Sequence, residues 1–147
     1  MAELIVPMSM NTVEQCIELY RNVFNNEPWN ETWTVEDAKE RLVDLVKTPK
    51  FLGFLLYEKD DLVGFIAGNS KQSDKGLTFY IAELCVHNQV QGKGYGSRLL
   101  QYLENELKER NIQSLYLLTA KGGAAEAFYI KNNYVENQER VVIKKNL

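Results

Sequence analysis

The sequence predicts an α/β chain of the α+β kind, with a mixed central sheet of about seven strands and four helices. Three observations carry this. Leu77 to Val86 is apolar or aromatic at most positions, which suits a strand with both faces covered. Beyond a glycine-punctuated turn, leucines at 99, 100, 103 and 107 mark one face of a helix that starts near Gly94 and ends near Asn111, and Ser114 to Thr119 follows as a buried strand. A strand, a helix and a strand in that order make a right-handed crossover between parallel neighbours. Upstream, Phe51 to Tyr57 and Leu62 to Gly68 are joined through Lys59-Asp60-Asp61 and read as an antiparallel pair, so the sheet is mixed.

The remaining elements follow in order. Glu3 to Pro7 is a short first strand. Thr12-x-x-Gln15 reads as a capping box, behind which Val13, Ile17, Tyr20 and Phe24 mark a helical face. Asn25 to Trp33 is a polar and aromatic loop. A second box, Thr34-x-x-Asp37, opens a helix to about Val46, which Thr48-Pro49 stops. Ser70 to Gly76 is a polar connection into the central strand. Lys121-Gly122-Gly123 leads into a short helix over Ala124 to Lys131, and Tyr134 to Val135 with Arg140 to Lys144 forms a closing hairpin around Asn137-Gln138. With 147 residues and no internal repeat or linker, one domain spanning 1–147 is the natural count.

The glycine turn carries the chemical signal. Gly92, Gly94 and Gly96 alternate where the chain enters the helix, so backbone amides can approach an anion without Cβ atoms in the way. A helix start adds about four unpaired N–H groups and a partial positive charge, a natural seat for a pyrophosphate. A Walker A loop does not fit, because Gly92-Lys93-Gly94 lacks both the upstream glycine and the hydroxyl. Nor does a dinucleotide fingerprint, since the third glycine comes one residue early.

Gln91-x-x-Gly94-x-Gly96 after a strand ending Glu83-Leu84-Cys85-Val86 resembles motif A of the GNAT superfamily of N-acetyltransferases. Ala124-Ala125-Glu126-Ala127-Phe128-Tyr129-Ile130-Lys131-Asn132-Asn133-Tyr134 is similar to that family's motif B, with Asn133 where glycine is usual. Asparagine is the next most tolerant residue of a left-handed cap, so the departure is mild. The resemblance implies the GNAT fold, with parallel strands that splay near Val86 and Thr119 to admit a pantetheine arm. It implies acetyl-coenzyme A as cosubstrate, held by Leu84, Cys85, Val86, Gln91, Gly92, Lys93, Gly94, Tyr95, Gly96, Ser97 and Thr119. Lys93 or Arg98 would add charge there; Lys131 is either a contact to the 3′-phosphate or a solvated helix lysine.

Composition excludes several other classes. Hydrophobic residues at 45% and charged residues at 25% are ordinary for a globular chain. A net charge of −3 with scattered lysines argues against a nucleic-acid partner. No apolar run reaches the roughly 18 residues of a membrane span and the N-terminus lacks a signal-peptide layout, so the expectation is a cytoplasmic protein with no membrane partner, monomer or homodimer. Cys16 and Cys85 read as reduced core residues. No metal is expected.

Acetyl transfer to an amine needs a deprotonated nucleophile, a stabilised oxyanion and a proton for the departing thiolate. An alkyl ammonium with a pKa of about 10 must lose a proton first. Glu83 stands among core residue types, where a carboxylate is out of place unless it faces a cleft, and the resemblance makes it the base; the alternative is a structural partner or an ammonium contact. The resemblance makes Tyr129 the acid and the Val86 amide the oxyanion donor, beside a strand bulge at that point. His87 is an exposed loop histidine or an alternative base. The resemblance implies an acceptor site walled by the first two helices and their loop, where Glu27, Trp29, Glu31 and Trp33 would make an aromatic and acidic pocket suited to a cationic amine of polyamine or aminoglycoside type. A loop pinned to the core by its two tryptophans is the plainer alternative. Rival activities are acetylation of a protein lysine or N-terminus, and non-catalytic acyl-coenzyme A binding.

Overall fold

The computed structural model describes residues 3–88 and 92–147. The chain divides into a unit ending at Leu117 and a unit from Leu118 to Leu147. The first holds β1 (Glu3–Pro7), a 3-10 turn (Met10–Thr12), α1 (Val13–Phe24), α2 (Val35–Val46), β2 (Phe51–Glu58), β3 (Asp61–Ser73), β4 (Gly76–Val86), α3 (Tyr95–Glu109) and β5 (Ser114–Tyr116); the second holds α4 (Ala124–Lys131).

The sheet is mixed, in the order β1-β2-β3-β4-β5, with only β4 and β5 parallel. It has five strands among the described residues rather than about seven, for two reasons. β5 spans three residues instead of Ser114 to Thr119 and lies at the sheet edge, half-buried at Leu115 and exposed on either side. The second unit contains no ladder, so the expected hairpin is absent there, although Glu139 N–H does donate to Asn137 Oδ1 at 2.8 Å in the turn. Conversely, Ser70 to Ser73 continue β3 and pair with Gly76 to Phe79, because a backbone ladder needs no apolar side chains beyond the core.

Helix ends obey local chemistry. The first capping box is built by Ser9 and Thr12, not Thr12 and Gln15: Ser9 N–H donates to Thr12 Oγ1 at 3.0 Å, and that hydroxyl donates back to Ser9 O. Thr34 caps α2 as expected, accepting from Asp37 N–H at 3.0 Å. α3 and α4 both end with asparagine in the left-handed region, Asn111 at φ +59° and Asn133 at φ +74°. In each, the next amide reaches back five residues, Ile112 N to Leu107 O at 2.9 Å and Tyr134 N to Tyr129 O at 2.9 Å.

The sheet of the first unit is covered on both faces. Leu55, Phe65, Ala67 and Cys85 pack on Cys16, Ile17, Tyr20 and Val23 of α1 and on Ala38 and Leu42 of α2. The other face takes α3, whose Leu99, Leu100, Leu103 and Leu107 are all buried; each contributes about 1.5–3 kcal/mol.

Candidate functional site

Glu83 is positioned by a defect in the β3–β4 ladder. Ala67 pairs with Glu83 but Gly68 pairs with Ile81, so Ala82 is an extra residue on β4. Directly opposed residues share a face. Ile81 therefore shares the face of Gly68 while Glu83, two residues on, shares that of Ala67, which packs on α1 and α2. Without the extra residue, strict alternation would put both on one face. Tyr80, opposite Asn69, shares the Glu83 face. The bulge expected at Val86 thus lies four residues earlier. Gly68 permits it, since a Cβ there would fall 1.9 Å from Tyr80 O.

On that face Glu83 is 7% exposed. Its Oε2 accepts from the Tyr20 hydroxyl of α1 at 3.3 Å and from Arg41 Nε of α2 at 2.9 Å. Both bonds end on Oε2; among the described residues none ends on Oε1. Burial pushes the Glu83 carboxyl above its ordinary range, and the Arg41 guanidinium and the two hydrogen bonds oppose that shift without cancelling it. Burial and the neighbouring carboxylate hold Tyr20 protonated.

A chain of aromatic rings runs outward from Tyr20. Tyr20 lies 5.1 Å from Trp33 and 4.7 Å from Phe24, ring centre to ring centre, and Phe24 lies 5.1 Å from Trp29. The Arg41 guanidinium sits 5.6 Å from the Trp33 ring, over its face. Trp33 Nε1 donates to Glu31 at 2.6 Å, and Glu31 is close enough to raise the Glu83 pKa. Of the four expected acceptor residues, Trp33 and Glu31 thus join Glu83, Trp29 stands one ring further out, and Glu27 is exposed in the connecting turn. Tyr20 and Arg41 escaped the sequence reading as site residues. Arg41 precedes buried Leu42 and follows buried Ala38 by three, on the margin of the apolar stripe, but its partner is 42 residues away.

The glycine turn begins α3 as expected. Gly94 at φ +83° is the N-cap and supplies no side chain to the first-turn amides; Gly92 is at φ +90°, with open space where its Cβ would be. This start of a fifteen-residue helix, bare of capping side chains, fits a pyrophosphate. Lys93 is exposed beside it. Arg98 Nη1 lies 3.2 Å from where a Gly94 Cβ would be, and its Nε is 2.8 Å from Glu3 without the N–H aimed at it. Tyr95 turns inward and donates its hydroxyl to Glu58, so only its amide is available to the turn. Gln91 lies outside the described residues. Cys85 is buried against Leu19 O, which limits it to a backbone contact. The β4–β5 ladder stops at Tyr80 and Tyr116, six residues before β4 ends at Val86.

His87 N–H donates to Val63 O at 2.7 Å, and His87 lines a cleft of about 430 Å³ with Gln15, Glu18, Asn22, Glu58 and Asp60. Glu83 does not line that cleft. In the second unit, Tyr129 stacks edge-on with Phe128 at 5.1 Å and Tyr134 at 5.5 Å, and Thr119 is exposed. Burial pushes the Cys16 thiol up to about 12 and holds the Cys85 thiol well above its ordinary range, so neither is a nucleophile. Among the described residues no His, Cys, Asp and Glu side chains converge to hold a metal, and no helix is long and apolar enough to cross a membrane.

Comparison with known proteins is consistent across fold and sequence. The sequence matches the Acetyltransferase (GNAT) family over residues 13–134, across both units. It is 33% identical over 86 residues to the uncharacterized protein YxbD of Bacillus subtilis (strain 168), a match spanning 54% of each chain, about half the length of that curated relative. The fold is shared with a possible acetyltransferase from Clostridium difficile 630, at TM-score 0.83 and 18% identity over 100% of this chain and 99% of that one. It is also shared with the aminoglycoside N-acetyltransferase AAC(6')-Iy, solved in complex with CoA, at TM-score 0.75 and 11% identity over 98% and 94%. With its mixed sheet, its four helices and a family match covering most of its length, the chain belongs to the GNAT acetyltransferase family.

Proposed function

We propose that residues 1–147 constitute one cytoplasmic N-acetyltransferase domain that moves an acetyl group from acetyl-coenzyme A to a primary amine of a small cationic molecule, directly and in a ternary complex. The observation that carries this reading is the Glu83 carboxylate, re-aimed by the Ala82 bulge toward Tyr20, where the chain of aromatic rings begins, with Oε1 free of protein hydrogen bonds among the described residues. A carboxyl raised by burial is a better base near neutral pH than an ordinary glutamate. The family membership supports the cosubstrate, and the acidic, tryptophan-bearing loop over Glu27 to Trp33 supports a cationic acceptor, as does the aminoglycoside substrate class named for a structural neighbour.

The residues divide the work. The amides of Gly92 to Ser97, with Gln91 and Lys93, hold the pyrophosphate, and the backbone of Leu84 to Val86 lines the pantetheine arm; family membership, not a contact in the structure, makes Thr119 a further candidate partner of that arm. When bound, acetyl-coenzyme A supplies the thioester carbonyl and the thiolate leaving group. Glu83 takes the amine proton at Oε1, directly or through one water; family membership, not a contact in the structure, assigns the proton returned to the departing sulfur to the Tyr129 hydroxyl. The buried cysteines support direct transfer over an acyl-cysteine route.

The test is thiol release from acetyl-coenzyme A across polyamines, aminoglycosides, amino acids and short peptides, in wild type and in Glu27→Gln, Glu31→Gln and Glu83→Gln. The expected result is turnover with one small-amine class and a raised KM for it on neutralising Glu31. Turnover with peptides alone would transfer the reading to a protein acceptor; coenzyme A binding without thiol release across the panel would reduce it to a binding module.

A further inference from the structure

Arg41 has no place in the reading above, yet it touches the carboxylate that matters most there. We propose that Arg41 is a positioning residue: together with Tyr20 it clamps Oε2 of Glu83 and thereby dedicates Oε1 to the acceptor's proton. The inference rests on Glu83 being the base.

Arg41 Nε and the Tyr20 hydroxyl come from different helices and converge on the same oxygen, at 2.9 and 3.3 Å. Two donors on one oxygen fix the rotation of the carboxyl group and leave the other oxygen as the acceptor. Glu83 itself is anchored at the bulge, so the carboxyl can turn only at its own side-chain torsions. Arg41 is in turn held by the Trp33 ring, and Trp33 is held by Glu31, a relay from the acceptor loop to the base.

The charge balance adds a second role for the same contact. The groups facing Glu83 are Tyr20 from α1, Arg41 from α2, Glu31 from the loop, and Tyr80 and Cys85 from β4 itself. Arg41 is the one cation among them, while burial and Glu31 both favour the protonated, inactive acid. Among the described residues, removing the guanidinium leaves only the Tyr20 hydrogen bond to keep the base charged. Half of the Arg41 side chain is exposed, so it is replaceable without opening the core.

The test compares wild type with Arg41→Met and Arg41→Lys, reading the acid limb of the kcat/KM profile and, separately, the Glu83 carboxyl titration by carbon-13 NMR; the Arg41→Met/Glu83→Gln double variant controls for folding. In Arg41→Met both limb and titration should move up together by about one to three pH units, and lysine should restore most of the shift. If neither moves, Arg41 does not act on Glu83 and the proposal falls. A carboxyl titration that moves under an unmoved acid limb would overturn the catalytic role, and the fault would then lie with Glu83 as base. A lower KM for cationic amines in Arg41→Met, with both pH readouts unmoved, would also overturn it, because Arg41 would then be occupying the acceptor's own place.

Discussion

Replacing Gly68 by alanine tests whether the β4 bulge holds the site together. The new Cβ would lie 1.9 Å from Tyr80 O and 2.8 Å from the Phe79 ring, and the nearer obstacle is backbone, which cannot turn aside. Reaching ordinary contact requires β3 and β4 to part by about 1.5 Å at the point where Ala82 is extra. Overpacking of this kind costs about 1–3 kcal/mol, and the separation weakens about two ladder hydrogen bonds at about 1 kcal/mol each. The loss expected is about 3–5 kcal/mol, a fall in Tm of roughly 6–20 °C for a chain of this size. Because the bulge aims Glu83, kcat/KM in the folded fraction should also drop, on the order of 100-fold for a displacement of about 1 Å. Gly53→Ala is the control. Its Cβ would meet the tip of the Phe51 ring at 2.8 Å, which can move, and Ile66 O and the Ala67 Cβ at 3.1 Å, which need give only a few tenths of an ångström, so about 1 kcal/mol and unchanged turnover are expected. Calorimetry with thiol release on both variants decides. A Gly68→Ala protein that melts with wild type and turns over normally would refute the reasoning.

Two further predictions concern ionisation. The folded-state pKa of Glu83 lies above its ordinary 4.5, so its contribution to stability is fully present below about pH 4.5 and is lost as pH rises through the folded value. Wild type should therefore lose ground to Glu83→Gln in denaturant titrations between pH 4 and 8, by about 1.4 kcal/mol for each unit of the shift; wild type gaining ground would mean that Arg41 outweighs burial. Cys16 and Cys85 should resist a thiol reagent at pH 8 in the native protein and react as two thiols on unfolding; fast native labelling of either would contradict their burial.

Much of this was legible in the residues because it depends on local rules. The leucine spacing in α3, the N-cap at Thr34 and the glycine entry into α3 each follow from a few neighbouring positions, and the left-handed Asn133 follows from the resemblance of its segment to motif B. What escaped depends on distant partners. The polar end of β3 is a strand because Gly76 to Phe79 pair with it, and β5 stops at Tyr116 where its ladder with β4 ends. The bulge at Ala82 rather than Val86 is a property of two strands in register, invisible in either alone. In the site, Glu83 was recognisable as a carboxylate among core residues, whereas Arg41 looked like one of several charges on a helix until the fold brought it to Glu83.

The most direct measurement of the central claim is the pH profile of kcat/KM for Glu83→Gln beside wild type, with the best amine of the panel. If Glu83 removes the amine proton, the variant should be about 10²- to 10⁴-fold slower at pH 7. The gap should narrow as pH approaches the amine's own pKa of about 10, where the free base no longer needs help. A variant within about threefold of wild type at pH 7, with a parallel profile, would contradict the assignment of Glu83 as the base.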